Sequence, residues 1–386
     1  MTRELQVVDS ADPSAVFEAL RAALAGGPAV LAREGGDLHP SSRRVAQNVA
    51  LVVETSGSTG SPKRVALSTD ALLASAAASA GAMGGQGQWL LALPAHYVAG
   101  AQVLIRSIAA GTEPVCYGEG HFDPQRFAEA ARSLTHDLRY VSLVPVQLAR
   151  LVGAAEEGDR RVADALRRFD GILVGGQALT AALRERARAA GARILTTYGS
   201  SETAGGCVYD GVPIGTTQVR AVDGLLEIGG PVLAEGYLDD PERTARAFHE
   251  ADGLRWYRTG DLGTVADGVV TVQGRADNVI ISGGEKVLLD AVERAVRAIP
   301  TLEHAVVVAR ADAEWGEVPV VVVDGNPSIP LGRIREQVSG RLGRAAAPAQ
   351  IVRVDALPQL SSGKPDRVAL ARVVADRASA HEGLQA

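Results

Sequence analysis

Apolar positions along this chain follow two rhythms, and the change between them divides the molecule. Up to about residue 200, short apolar runs alternate with stretches in which apolar residues recur every three or four positions. The runs read as strands buried on both faces, and the second rhythm reads as amphipathic helix. Strands are predicted at 51–53, 89–93, 140–144, 171–174 and 193–197. A helix starts at Asp123-Pro124, an N-cap followed by proline in the first turn, and puts Phe127, Ala130, Ala131 and Leu134 on one face. A second runs from Thr180 to Gly191, a glycine suited to a C-terminal cap. A third covers 160–169 and gathers Val162, Leu166 and Phe169. Alanine is too common throughout to mark helices by itself. The alternation predicts a parallel α/β sheet flanked by helices, with ligand groups on loops at the carboxyl ends of strands.

After about Gly215 the pattern shortens. Segments 224–229 and 265–272 read as short strands between glycine turns, a β-rich subdomain. Beyond Arg275 come a helix at 289–298, strands at 305–309 and 319–323, and a helix at 331–342. The boundary is placed between Ala276 and Asp277. The expected architecture is a large N-terminal α/β domain, 1–276, with its β-rich subdomain, and a small mobile α+β domain, 277–386. The small polar residues from Ala378 onward predict a frayed end.

Composition narrows the function classes. A chain of 386 residues suggests two or three domains. A net charge of −6 argues against nucleic acid or an anionic membrane as the main partner, so any phosphate site must be local. Cys116 and Cys207 are too few and too far apart for a disulfide framework or structural zinc site, which suits a reducing cytoplasm. No signal peptide is visible, and no run approaches the roughly 18 apolar residues of a membrane span.

Candidate chemistry begins at Thr55-Ser56-Gly57-Ser58-Thr59-Gly60-Ser61-Pro62-Lys63. Small residues let successive N–H groups face an anion, hydroxyls add donors, and Lys63 supplies positive charge. It is not a Walker A loop, because Pro62 precedes the lysine and Arg64 follows it. A plain Ser/Gly surface loop would carry similar letters. Further on lies Thr197-Tyr198-Gly199-Ser200-Ser201-Glu202-Thr203. Here Tyr198 suits stacking on a purine, Ser201 a phosphate, and Glu202 a Mg²⁺ ion that bridges phosphate oxygens. Tyr257-Arg258-Thr259-Gly260-Asp261 offers a carboxylate for vicinal ribose hydroxyls, though turn aspartates are common. Gly274-Arg275-Ala276-Asp277 reads in isolation as a weak surface ion pair. Ser361-Ser362-Gly363-Lys364 places one ammonium in a Gly/Ser turn, ordinarily just solvated.

Taken in order, these segments resemble the adenylate-forming superfamily of acyl-CoA ligases, luciferases and peptide-synthetase adenylation domains. The resemblance spans roughly residues 51 to 367. The family loop usually ends in glycine where this chain has Arg64. The resemblance assigns the loop from Thr55 to Lys63 to the ATP phosphates. It puts Gly175, Gly176, Gln177, Tyr198, Gly199, Ser200 and Ser201 around the nucleotide, with Gly199 and Ser201 also at the acid, and makes Glu202 the Mg²⁺ residue. It gives Asp261 and Arg275 to the ribose and makes Asp277 a hinge. Gly283 and Gly284 belong to a loop that swings toward the thiol-transfer tunnel, and Lys364 is the catalytic lysine. His96 matches a gate of the acyl pocket, against the plainer reading of a core histidine. The implied cofactors are ATP, Mg²⁺ and coenzyme A as co-substrate; the family expectation for assembly is a homodimer.

Only about 54 residues precede the phosphate loop, a compact layout that resembles the actinobacterial o-succinylbenzoate–CoA ligases of menaquinone biosynthesis. Ala204-Gly205-Gly206-Cys207-Val208-Tyr209-Asp210-Gly211 supports that subgroup. Arg106 lies in an apolar stretch, where a guanidinium fork would suit the second carboxylate of such a diacid. Alternatively its head snorkels to solvent. The expected activity is ATP-dependent formation of an acyl-adenylate, then an acyl-CoA thioester. A ligase for another aryl or short-chain acid, a carrier-protein-loading enzyme and a non-catalytic nucleotide-binding homologue remain open.

Overall fold

The computed structural model describes residues 1–35, 44–55, 63–118, 120–325, 329–359 and 365–382, with side chains from 378 onward left aside. Residue contacts divide the chain into two units. One comprises Met1–Ala221, Glu227–Thr259 and Val265–Val270; the other comprises Val222–Leu226, Gly260–Thr264 and Thr271–Ala386.

The first unit carries two large sheets. One has seven strands in the order Val212–Pro213, Gly205–Tyr209, Ile194–Ser200, Gly171–Val174, Arg139–Leu143, Gln88–Leu91, Val115–Cys116. From Ile194–Ser200 to Val115–Cys116 every pairing is parallel. Four of the five predicted strands lie here. Helices Pro124–Arg132, Pro145–Glu156, Arg160–Arg168 and Ala181–Ala189 follow in the chain. Asp123 accepts from the Arg126 N–H at 2.8 Å, and Thr180 Oγ1 accepts from the Leu183 N–H at 3.2 Å. Such caps contribute about 1 kcal/mol each. Phe127, Leu134, Val162, Leu166 and Phe169 meet Val141, Leu143, Ile172 and Val174 in one core.

The fifth predicted strand is corrected in its partners. Val49–Thr55 belongs to a separate mixed sheet, in the order Gly236–Tyr237, Lys63–Ser68, Val49–Thr55, Ala29–Arg33, Thr2–Asp9, Arg44–Ala46. It runs parallel to Ala29–Arg33 but antiparallel to Lys63–Ser68. Its apolar run is continuous for the expected reason, burial on both faces; the run says nothing about strand direction.

The β-rich middle is a five-stranded sheet made by Gln218–Val222, Leu225–Gly229, Phe248–Ala251, Leu254–Ala266 and Val269–Arg275. The predicted strand at 265–272 is split by a turn. Asp267 and Gly268, with φ of 51° and 76°, reverse the chain, as an Asp-Gly pair does in a tight hairpin.

In the second unit, Val306–Asp312 pairs antiparallel with Gly316–Asp324, which runs parallel to Gln350–Val354. Successive side chains of a strand point to opposite faces. Val307, Val321 and Val323 therefore pack with helices Leu289–Arg297 and Leu331–Leu342. Val306, Val308, Val320 and Val322 pack with Leu370 and Val374 of helix Arg367–Glu382. That helix continues through 378–382, where the sequence predicts fraying.

Candidate active site

The predicted phosphate-loop residues Ser56, Gly57, Ser58, Thr59 and Gly60 lie outside the described residues. Their flanks are described: Thr55 and Lys63 are cross-strand partners. Lys63 Nζ lies 5.7 Å from the centroid of the Tyr237 ring. Tyr237 reaches this place because its strand pairs antiparallel with the strand of Lys63, with Tyr237 opposite Val65. Its hydroxyl donates to Glu202 Oε1 at 2.9 Å. Tyr237 thus joins the loop lysine to the acidic residue of the Tyr-Gly segment. Burial and the facing Glu202 carboxylate push the phenol pKa up, so it remains a neutral donor. Nothing in the sequence near Tyr237 marks it as a site residue. Arg64 pairs with Glu54 at 3.5 Å and Asp239 at 3.6 Å along the sheet.

Glu202 is buried in the helical turn Ser201–Thr203, and its carbonyl accepts from the Ala234 N–H at 2.8 Å. Thr203 Oγ1 accepts from the Ser200 N–H at 2.9 Å and donates to the Gly205 carbonyl at 2.8 Å, which closes the turn from inside. Gly199 is required by close approach: a Cβ there would lie 2.1 Å from the Gly205 carbonyl oxygen. Ser201 is buried, and Tyr198 is half-buried on the strand. Gly175, Gly176 and Gln177 follow the neighbouring strand Gly171–Val174, and a Cβ on Gly175 would lie 2.2 Å from Thr197 Oγ1. The structure therefore gathers these sequence-predicted residues at the carboxyl ends of adjacent parallel strands, where open α/β sheets bind ligands.

Among the described residues no group of three or more acidic, His or Cys side chains is placed to hold a metal ion. Mg²⁺ needs no such cage. It binds through one or two carboxylates plus substrate phosphates and water, so Glu202 fits the role assigned to it. Tyr237→Phe leaves one carboxylate oxygen without its donor. The expected result is a roughly tenfold lower kcat/KM for ATP and a higher Mg²⁺ half-saturation, the scale of one lost charge-assisted hydrogen bond. Unchanged Mg²⁺ dependence in pyrophosphate exchange would make Tyr237 a packing residue.

A second group is built within the other unit. Arg275 Nε and Nη2 each donate to Asp277 at 3.1 Å, and Nη1 donates to Asp261 Oδ1 at 3.3 Å. The Arg275 N–H also donates to Asp290 Oδ2 at 3.1 Å. One guanidinium thus orients both carboxylates singled out in the sequence. As half-exposed ion pairs these contribute about 1 kcal/mol or less; their consequence is geometric. Gly283 and Gly284 form the turn between Val279–Ser282 and Glu285–Leu288, and a Cβ on Gly283 would lie 2.6 Å from the Trp315 ring. Lys364 lies outside the described residues. Beside it, Gln359 bridges Pro365, and Arg367 donates to Glu293 at 2.7 Å and to the Val307 carbonyl at 2.8 Å.

The two residues that the sequence singles out for the acid, His96 and Arg106, lie in the first unit. His96 precedes helix Val98–Ala110; its Nδ1 is 3.0 Å from Ser10 Oγ, and its ring packs on Tyr97 at 4.2 Å. Burial pulls its pKa down, against an opposing pull from Glu34. Arg106 is on the same helix and only 6% exposed, so it does not snorkel. Its guanidinium lies 4.8 Å from the Trp89 ring, and Nη2 donates to Tyr209 Oη at a long 3.5 Å. No carboxylate pairs with it among the described residues. Cys207 is buried, with its thiol pushed up to about 12 by burial, which excludes it as a nucleophile.

The sequence model of the AMP-binding enzyme family matches residues 4–246, and that of the AMP-binding enzyme C-terminal domain matches residues 291–364. A relative in Mycobacterium tuberculosis, named a probable 2-succinylbenzoate–CoA ligase, is 40% identical over 347 residues, 87% of each chain. The 2-succinylbenzoate–CoA ligase of Listeria innocua is 30% identical over 337 residues, 82% of this chain and 68% of the relative. Among solved structures, o-succinylbenzoate CoA synthetase from Bacillus subtilis, in complex with the acyl-adenylate intermediate OSB-AMP, superposes with a TM-score of 0.73. That likeness covers 92% of this chain and 80% of the other at 24% identity, and it shows a shared fold. No helix among the described residues is long and apolar enough to cross a membrane.

Proposed function

Since the chain belongs to the AMP-binding enzyme family, we propose that it is an ATP-dependent acid–CoA ligase acting on 2-succinylbenzoate. In the first half-reaction the succinyl carboxylate attacks the α-phosphorus of ATP, and pyrophosphate leaves. In the second the CoA sulfur attacks the acyl carbon, its proton is lost, and AMP leaves. The observation that carries the reading is the 40% identity, over 87% of both chains, to the mycobacterial relative.

The residues divide the work as follows. Lys63 meets the phosphates, with Tyr237 holding the Glu202 carboxylate in place. When bound, Mg²⁺ neutralises phosphate charge as pyrophosphate departs. Asp261, oriented by Arg275, accepts from the ribose hydroxyls. Asp277, held by the same guanidinium, is the pivot of the family's domain motion, and Lys364 serves the first half-reaction. Arg106 takes the carboxylate that does not react; a buried guanidinium without an anionic partner among the described residues suits a dianionic acid. Both nucleotide substrates are drawn from cytoplasmic pools, where we place the reaction.

The test is pyrophosphate release with a panel of acids, with and without CoA. Release that requires 2-succinylbenzoate, with a CoA thioester as product, is expected. Equal turnover of monocarboxylic acids would sink the assignment of the acid. Adenylation without thioester formation on CoA would redirect the second half-reaction to a carrier-protein thiol.

A further inference from the structure

We propose that Gln102 is a specificity-determining residue whose amide, beside Arg106, donates to the second carboxylate of the acid. The proposal rests on the diacid reading above and adds a group to it. Gln102 is four residues before Arg106 on helix Val98–Ala110, so the two side chains share a face. It is 1% exposed, yet neither its Oε1 nor its Nε2 has a hydrogen-bond partner among the described residues. Arg106 Nε is in the same condition.

The surroundings make this informative. Three other buried hydroxyls on these helices are satisfied: Ser75 Oγ donates to the Ala204 carbonyl at 3.0 Å, Ser107 Oγ donates to the Val103 carbonyl at 3.0 Å, and Ser79 Oγ shares a 2.8 Å hydrogen bond with Tyr209 Oη. The Gln102 side chain packs against the strand that pairs with the Tyr-Gly segment: a Cβ on Gly205 would lie 3.4 Å from Gln102 Cγ, and Gly205 is the register partner of Ser200. Ser200 Oγ is also buried and without a partner among the described residues. Unsatisfied buried amides cost stability, and a leucine of similar size would avoid that cost. Such groups persist where a ligand completes them. A carboxylate accepting from Gln102 Nε2 and the Arg106 fork would leave Gln102 Oε1 to accept from Arg106 Nε–H. The two amide atoms of Gln102 and Arg106 Nε are then all used together.

The experiment compares 2-succinylbenzoate with 4-oxo-4-phenylbutanoate, the same acid without its ring carboxylate. KM, kcat and Tm are measured for Gln102→Leu, Gln102→Met, Gln102→Glu and Arg106→Leu. Both apolar variants are expected to raise the diacid KM about tenfold, with the monoacid KM unchanged and Tm equal or higher, the signature of a lost ligand hydrogen bond. Gln102→Glu should raise the diacid KM further, because it sets a negative charge against the substrate's. If KM rises equally for both acids, or Tm falls in Leu and Met alike, Gln102 is a packing residue and the proposal fails. An unchanged diacid KM would mean that the amide serves a resident water, which also overturns it. Should Arg106→Leu be selective while the Gln102 variants are silent, the diacid reading stands and the role of Gln102 falls. If Arg106→Leu is itself unselective, both fall.

Discussion

Lys364→Ala is expected to slow acid-dependent adenylation by about 10²–10³-fold while the reaction of preformed acyl-adenylate with CoA keeps its rate, the scale seen when one preorganised charge donor is removed from a transition state. As the carboxylate approaches the α-phosphorus, negative charge spreads over the attacking oxygen and the phosphate oxygens together. An ammonium reaching both favours that arrangement over the separated reactants, so its loss appears in kcat. The second half-reaction breaks the bond between acyl carbon and AMP, and the sulfur attacks from a path that the lysine must leave clear. The two halves are measured apart, by exchange of labelled pyrophosphate into ATP and by rapid quench of purified acyl-adenylate with CoA. Equal losses would move Lys364 from chemistry to anchoring. The flank of the lysine segment makes that alternative separable. Buried Glu293 accepts from the Val307 N–H at 2.9 Å and from Arg367 at 2.7 Å, and pairs with Arg297 at 2.9 Å, so the downstream flank is held independently of Lys364.

What the sequence made legible was local. The strands predicted at 140–144 and 171–174 are visible because parallel strands between helix layers carry unbroken apolar runs. The helices after Asp123 and Thr180 are visible because their caps are made by side chains three residues from the N–H they satisfy. The same signal is present at Asp12-Pro13, where Asp12 caps helix Pro13–Leu24 by accepting from the Ser14 and Ala15 N–H groups. Helix Thr69–Ala82 was hidden for another reason: its alanines are apolar on every side and leave no stripe to read. Tyr237 was out of reach altogether. It meets Glu202 and Lys63 through a register set by strands far apart in sequence, which no local pattern records. Gln102 was within reach. Like Arg106, it is a polar head in an apolar helix, one turn earlier.

Arg106→Leu is expected to raise the KM for 2-succinylbenzoate about a hundredfold, close to 2.7 kcal/mol, and the KM for the matching monoacid less than threefold. The magnitude follows from what the guanidinium faces. It is buried against the Trp89 ring, its hydrogen bond to Tyr209 is long, and no carboxylate pairs with it among the described residues. A charge held this way costs the empty protein stability and returns it only when an anion arrives. Leucine removes the cost, so Tm should hold or rise while the diacid binds poorly. A residue that merely supported the helix would lower Tm and affect both acids alike. Arg106→Lys refines the test: it keeps the charge but loses the planar fork, and a diacid KM about tenfold above the parent is expected, between the other two. If lysine restores full affinity, charge alone suffices and bidentate recognition is wrong; if lysine is as poor as leucine, the fork rather than the charge discriminates the substrate.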